Sequence, residues 1–118
     1  MKEKHYQPSL EHSAKNMGSG GLEVLATPAL VAFMENLAYL TLQECLSQEE
    51  SSVGTQMDIE HLAPSLTSQM VRIQISDWQS KGRKHSFSIQ AYAGDKLLAT
   101  AQHTRFVVNA ERFLEKLK

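Results

Sequence analysis

The stretch Val24–Leu46, VLATPALVAFMENLAYLTLQECL, decides the fold. Its spacing predicts the one long helix of the protein. Thr27 followed by Pro28 reads as a start signal: a hydroxyl at the N-cap, then a residue that has no N–H to lose in the first turn. Beyond it, Leu30, Met34, Leu37, Ala38, Thr41, Leu42 and Cys45 recur at the spacing of a buried stripe. A second row, Val31, Glu35, Ala38 and Leu42, widens that stripe. Glu35 therefore falls among apolar neighbours, with no Lys or Arg three or four residues away to pair with it. A carboxylate so placed tends to a raised pKa and is a candidate for acid/base or nucleophilic work. The same pattern also fits a Glu at the edge of the stripe that reaches water, and Thr27 taken alone fits a simple cap.

Working outward, the chain of 118 residues suits one domain, with 42% apolar residues and a net charge of −1. Basic residues are scattered apart from Lys81, Arg83 and Lys84 in an expected turn, which disfavours nucleic acid as a partner. The single cysteine, Cys45, is placed by the helical spacing on the apolar face, and a buried thiol suits a reducing compartment. No signal-peptide segment opens the sequence and no stretch is long enough to span a bilayer. The expected location is the cytoplasm, without a membrane partner.

Ahead of the helix, residues 1–16 read as an N-terminal arm, extended or poorly ordered, with a short edge strand as one option. Met17–Gly21, MGSGG, is a flexible lead into the helix that could act as a lid. It lacks the lysine and preceding strand of a phosphate-binding loop. After the polar turn SQEESS at 47–52 the period becomes two: Val53, Thr55, Met57, Ile59 and His61 share one face. His61 thus lies on the side turned toward the helix. Such a histidine is often only a satisfied core residue.

Further alternation marks Met70–Trp78 (Val71, Ile73 and Ile75 on one face) and Lys84–Ala93 (Phe87, Ile89 and Ala91 inward). In Leu97–Val108 one face carries Leu98, Thr100, Gln102, Thr104, Phe106 and Val108, the other Ala99, Ala101, His103, Arg105 and Val107. Asn109 caps a last short helix at 110–117 with Phe113, Leu114 and Leu117 on its apolar side. Tight turns between successive strands imply antiparallel pairing. A long helix followed by four such strands is an α+β arrangement in which the sheet wraps the helix, the hotdog plan.

Three blocks, GSGGLEVLATPALVAFMENLA, SSVGTQMDIEHLAP and TAQHTRFVV, stand in order at residues 18–38, 51–64 and 100–108. Together they resemble the signature blocks of the hotdog-fold acyl-CoA thioesterases related to fluoroacetyl-CoA thioesterase, and the likeness runs from about Ser13 to Leu117. The resemblance implies a single hotdog domain over residues 17–118 and a catalytic set of Thr27, Glu35 and His61. It implies that Gly54 holds the thioester oxygen by its backbone N–H and that Arg105 stands near the substrate channel or at a subunit interface. It also implies an acyl-CoA substrate, no metal or organic cofactor, and at least a homodimer, since helix and strand residues of two subunits usually build each site.

The chemistry suits these residue types. Thioester hydrolysis needs a nucleophile or activated water, a proton for the departing thiolate, and donors for the oxyanion. Glu35 can serve as nucleophile or as general base, His61 as proton relay, and Thr27 as the orienting hydroxyl. PSLTSQ at 64–69 lacks the Pro-Pro-Gly character that follows the family histidine, and no Phe, Tyr or Trp lies between Tyr6 and Phe33. The expected acyl group is therefore a general one rather than fluoroacetyl. The alternative is a hotdog dimer that binds acyl-CoA or another apolar ligand without turnover. A metal hydrolase is disfavoured because His5, His12, His61, His85 and His103 lack a ligand spacing such as H-x-x-x-H.

Overall fold

The computed structural model describes residues 2–118. Five strands and three helices follow in the order β1 (Lys2–Tyr6), α1 (Ala14–Met17), α2 (Thr27–Gln43), β2 (Glu50–His61), β3 (Val71–Lys81), β4 (Lys84–Ala93), β5 (Lys96–Asn109) and α3 (Ala110–Glu115). The strands form one antiparallel sheet in the order β1-β3-β4-β5-β2, and α2 packs on one face of it. This is the α+β hotdog arrangement expected from the sequence. The α2 side chains Leu30, Met34, Leu37, Ala38 and Leu42 are buried with Val71, Ile73, Ile75, Phe87, Ile89, Ala91, Ala99 and Ala101 of the sheet. The 3.6-residue stripe and the period-two faces thus meet in one core.

The beginning of the chain joins the sheet. Residues 2–6 pair with β3 as an edge strand, and Tyr6 stacks on Phe33 of α2 with ring centroids 4.8 Å apart. The Tyr6 hydroxyl donates to Asn36 Oδ1 at 2.7 Å, and burial pushes this phenol up to about 12. The glycine loop folds back on α1: the N–H groups of Ser19 and Gly20 both donate to Ala14 O, while Gly18 takes the left-handed conformation (φ 77°) that ends α1.

Four local expectations are corrected. The N-cap of α2 is Ala26, in extended conformation, so Thr27 is already the first helical residue and its hydroxyl caps nothing. The helix ends at Gln43, which leaves Cys45 in the following turn, exposed rather than on the buried face. The register of β2 against β5 slips between Gly54 and Gln56, a bulge that inserts one residue. Before the bulge Ser52 and Gly54 face the helix; after it Met57, Ile59 and His61 do, so Val53 and Thr55 do not share the His61 face. Finally, α3 stops at Glu115, and Leu114 and Leu117 are 58% and 70% exposed instead of forming an apolar contact.

Candidate active site

The first group of site residues gathers where α2 begins and β2 ends. Because Thr27 sits in the first helical turn, its side chain is free of capping and turns to the sheet, where Oγ1 lies 2.8 Å from His61 Nδ1. The other ring nitrogen, His61 Nε2, is buried without a hydrogen-bond partner. A buried polar atom left in this way costs about 1–3 kcal/mol, which marks the position as one kept for something other than stability. Burial pushes the His61 imidazole below its ordinary value, against an opposing pull from the Ala63 backbone. An open cavity of about 330 Å³ lies over the pair, walled by Val24, Leu25, Thr27, His61 and the Leu62–Pro64 segment.

The second group gathers halfway along α2. Arg105 on β5 is buried at 7% exposure and spends its donors on specific partners. Its Nε donates to Ser52 Oγ at 2.8 Å and its Nη2 to Ser52 O at 3.1 Å. Its Nη1 lies 3.1 Å from His103 Nε2 and 4.0 Å from Glu35 Oε2. The His103 tautomer follows from its surroundings: Nδ1 lies 2.7 Å from Gln56 O, an acceptor, so Nδ1 carries the proton. Nε2 is then a lone pair that accepts from Arg105. Burial is the main cause that pushes His103 below its ordinary value, with the Gln56 carbonyl opposing, the Arg105 charge adding to it and Glu35 opposing. Burial also lowers Arg105, opposed by Glu35 and Tyr39, whose ring lies 5.9 Å from the guanidinium.

Gly54 completes this second group by its lack of a side chain. A Cβ built there would stand 2.8 Å from Glu35 Oε2, 3.2 Å from His103 Cε1 and 3.4 Å from Arg105 Nη1. The glycine lets the strand backbone come up against the carboxylate. The isolated carboxylate expected from the helix sequence is therefore replaced by one beside a buried guanidinium, with its side chain 41% exposed.

Within one chain the structure brings Thr27 to His61, and Glu35 to Gly54 and Arg105, but leaves the two groups apart. Thr27 and Glu35 are separated by eight helical residues, about 12 Å of rise. Ser52 and His103, both buried here, carry no signal of a role in the sequence taken alone. His103 alternates with Arg105 on one face of β5, but nothing local showed that this polar face would be the inward one. Among the described residues no three His, Cys, Asp or Glu side chains are grouped to hold a metal ion, and no helix is long and apolar enough to cross a membrane.

Comparison with known proteins places this arrangement. A variant of the fluoroacetyl-CoA-specific thioesterase, crystallised with fluoroacetate and CoA, superposes with a TM-score of 0.91 at 22% identity, over 99% of this chain and 96% of that one. The hot-dog-like protein from Thermanaerovibrio acidaminovorans gives 0.88 at 22% identity over 98% and 86%. A thioesterase superfamily member from Thermus thermophilus gives 0.86 at 19% over 98% and 88%. At such identities these structures establish the hotdog fold. In sequence, the chain is 27% identical over 96 residues to the fluoroacetyl-CoA thioesterase of Streptantibioticus cattleyicolor, covering 81% of this chain and 69% of that protein. Fold and sequence together define a hotdog thioester hydrolase. Residues 9–111 match the model of the fluoroacetyl-CoA-specific thioesterase family, and the chain belongs to that family.

Proposed function

We propose that this protein hydrolyses an acyl-CoA to a carboxylic acid and free CoA at sites shared between the subunits of a homodimer. The observation that carries the reading is the Thr27–His61 bond of 2.8 Å with His61 Nε2 buried, unpaired and beside an open cavity. A hydroxyl that fixes one ring nitrogen leaves the other to pass a proton.

The chemistry needs Glu35 beside that pair, and β2 suggests how. It is twelve residues long and lies at the edge of the sheet, bonded only to β5. A long open edge is a template for pairing, and a second copy of the same strand satisfies it. Two-fold antiparallel pairing sets the His61 end of one β2 beside the Glu50–Gly54 end of the other. The partner's Thr27 and the partner's His61 are thereby carried toward Glu35.

In the reaction Glu35 either attacks the acyl carbon, forming an anhydride that water then opens, or takes a proton from a water that attacks. In both routes the carbonyl π pair moves onto oxygen, where the Gly54 N–H holds the negative charge. The pair returns, the C–S bond breaks, and the thiolate leaves with a proton relayed through His61. Thr27 orients the imidazole. Arg105, tied to Ser52 and His103, serves the substrate site by setting where the Glu35 carboxylate stands. The acyl group is a general one.

Thiol release from a panel of acyl-CoAs, short to long and aromatic, tests the proposal with wild type and Glu35→Gln. A loss of a hundredfold or more, about 2.7 kcal/mol of transition-state stabilisation, is expected with the dimer intact by light scattering. Wild-type turnover in Glu35→Gln, or a monomer that is fully active, overturns it.

A further inference from the structure

Where β5 ends and α3 begins, a cavity of about 260 Å³ is lined by Arg83, Val108, Asn109, Arg112, Phe113 and Lys116. Three of the six are cations and none is acidic. Arg83 reaches it from the β3–β4 turn, held across the end of the sheet by a bond from Nη1 to Val107 O at 3.3 Å. Arg112 and Lys116 lie four residues apart on the α3 side, both exposed. Among the described residues none of the three forms an ion pair, although Lys2, Arg72, Arg105 and Lys118 all do. Like charges gathered around one hollow with no acidic side chain in its lining repel one another and raise the local concentration of anions, although Glu111 and Glu115 of α3 and Glu50, paired with Asn109, stand nearby. Val108 and Phe113 give the same hollow an apolar wall.

We propose that this cavity holds the phosphorylated nucleotide end of the CoA substrate. The phosphates lie against Arg83, Arg112 and Lys116, and the adenine lies on Phe113 and Val108. The inference rests on the acyl-CoA reading above and assigns the part of the substrate remote from the chemistry. Guanidinium forks match phosphate oxygens in pairs, and a planar base has faces suited to an aromatic wall. A bare phosphate would leave the apolar wall unused. The position also fits. Val108 is three residues along β5 from Arg105, roughly 10 Å, and on the opposite face, so the pantetheine arm has that span to cross around the end of the strand between nucleotide and thioester. Binding energy gathered there is remote from the reacting bond and acts on how well CoA thioesters are held.

Two measurements test this with wild type and Arg112→Ala/Lys116→Ala. Titration calorimetry with adenosine 3′,5′-bisphosphate is expected to show binding to wild type, tighter than to inorganic phosphate, weakened by salt and at least tenfold weaker in the double variant. Steady-state kinetics are expected to show KM for an acyl-CoA raised tenfold or more, with kcat unchanged and with the same acyl group on pantetheine unaffected. Equal bisphosphate binding by wild type and the double variant, or a KM rise shared by the pantetheine thioester, overturns the proposal. So does a wild type that prefers inorganic phosphate. Should wild type hydrolyse neither thioester, the acyl-CoA reading fails, and the bisphosphate titration alone decides the cavity. The double variant removes two exposed side chains and keeps Arg83 at the turn, so its folding is not at issue.

Discussion

Replacing Gly54 by alanine acts chiefly on the placement of Glu35. The new Cβ meets three atoms: Glu35 Oε2 at 2.8 Å, His103 Cε1 at 3.2 Å and Arg105 Nη1 at 3.4 Å. The last is ordinary contact. The His103 ring is held at both nitrogens, by Gln56 O and Arg105, so it cannot turn away. Most of the strain therefore falls on the carboxylate, which has to yield about 0.6 Å to reach ordinary contact at 3.4 Å, while the His103 ring has to give about 0.2 Å against its two bonds. Glu35 is the flexible, half-exposed end of a side chain, so this shift costs little stability. Alanine in place of glycine also narrows the unfolded ensemble, and the melting free energy is expected to stay within about 1 kcal/mol of wild type. Catalysis is less forgiving, because misplacing a reacting group by an ångström can cost on the order of a hundredfold. The expected outcome is a kcat lowered by about 10- to 100-fold, or ~1.4–2.7 kcal/mol, at unchanged fold. The Gly54 N–H is retained in the variant, so the loss reports on Glu35 and not on the oxyanion donor. Thiol release under saturating acyl-CoA, alongside a thermal melt, measures both quantities. A kcat within twofold of wild type would refute the reasoning, since the carboxylate would then be indifferent to the atoms that now confine it.

Two further outcomes follow from the same geometry. His103 and His61 both sit below their ordinary value of 6.5 in the folded protein, chiefly through burial. The unfolded chain thus takes up protons first as pH falls, so the stability tied to each neutral ring is complete above about pH 6.5 and is lost below it, at up to ~1.4 kcal/mol per pH unit for each group. Denaturant melts between pH 7.5 and 5 are expected to show a shallower loss for His103→Gln than for wild type; identical slopes would remove His103 from the account. In the core, Met34 is fully buried on α2, and Met34→Ala is expected to cost about 2–5 kcal/mol in a denaturant melt, with a loss below 1 kcal/mol contradicting the packing described.

The order of elements from α2 onward, the buried face of α2 and the hydrophobic faces of β3 and β4 were all legible in the sequence. Each of these is a local periodicity, and the core only required the two kinds of stripe to meet. Thr27, Glu35 and His61 stood out only as candidates, as residues whose chemistry did not fit their pattern or through the family blocks. The partners of Glu35 were not. Arg105 and His103 lie about seventy residues further on, and alternation alone gives two equivalent faces for β5. Which face turns inward depends on how Arg105 satisfies its donors at Ser52 and how His103 satisfies its own at Gln56. The bulge between Gly54 and Gln56 was equally hidden, because one inserted residue breaks the period of two without any change in composition.

By itself the sequence determined the fold class, because helix periodicity, strand alternation and turn chemistry are set by neighbours a few residues apart, while the family rested on the likeness of three blocks. Only the tertiary structure decided that Thr27 bonds His61 instead of capping α2, that Glu35 stands against a guanidinium, and that Cys45 is outside the core. Those outcomes depend on which polar groups find partners across the fold, and burial makes each unmet donor or acceptor costly enough to choose between arrangements that local sequence leaves equal.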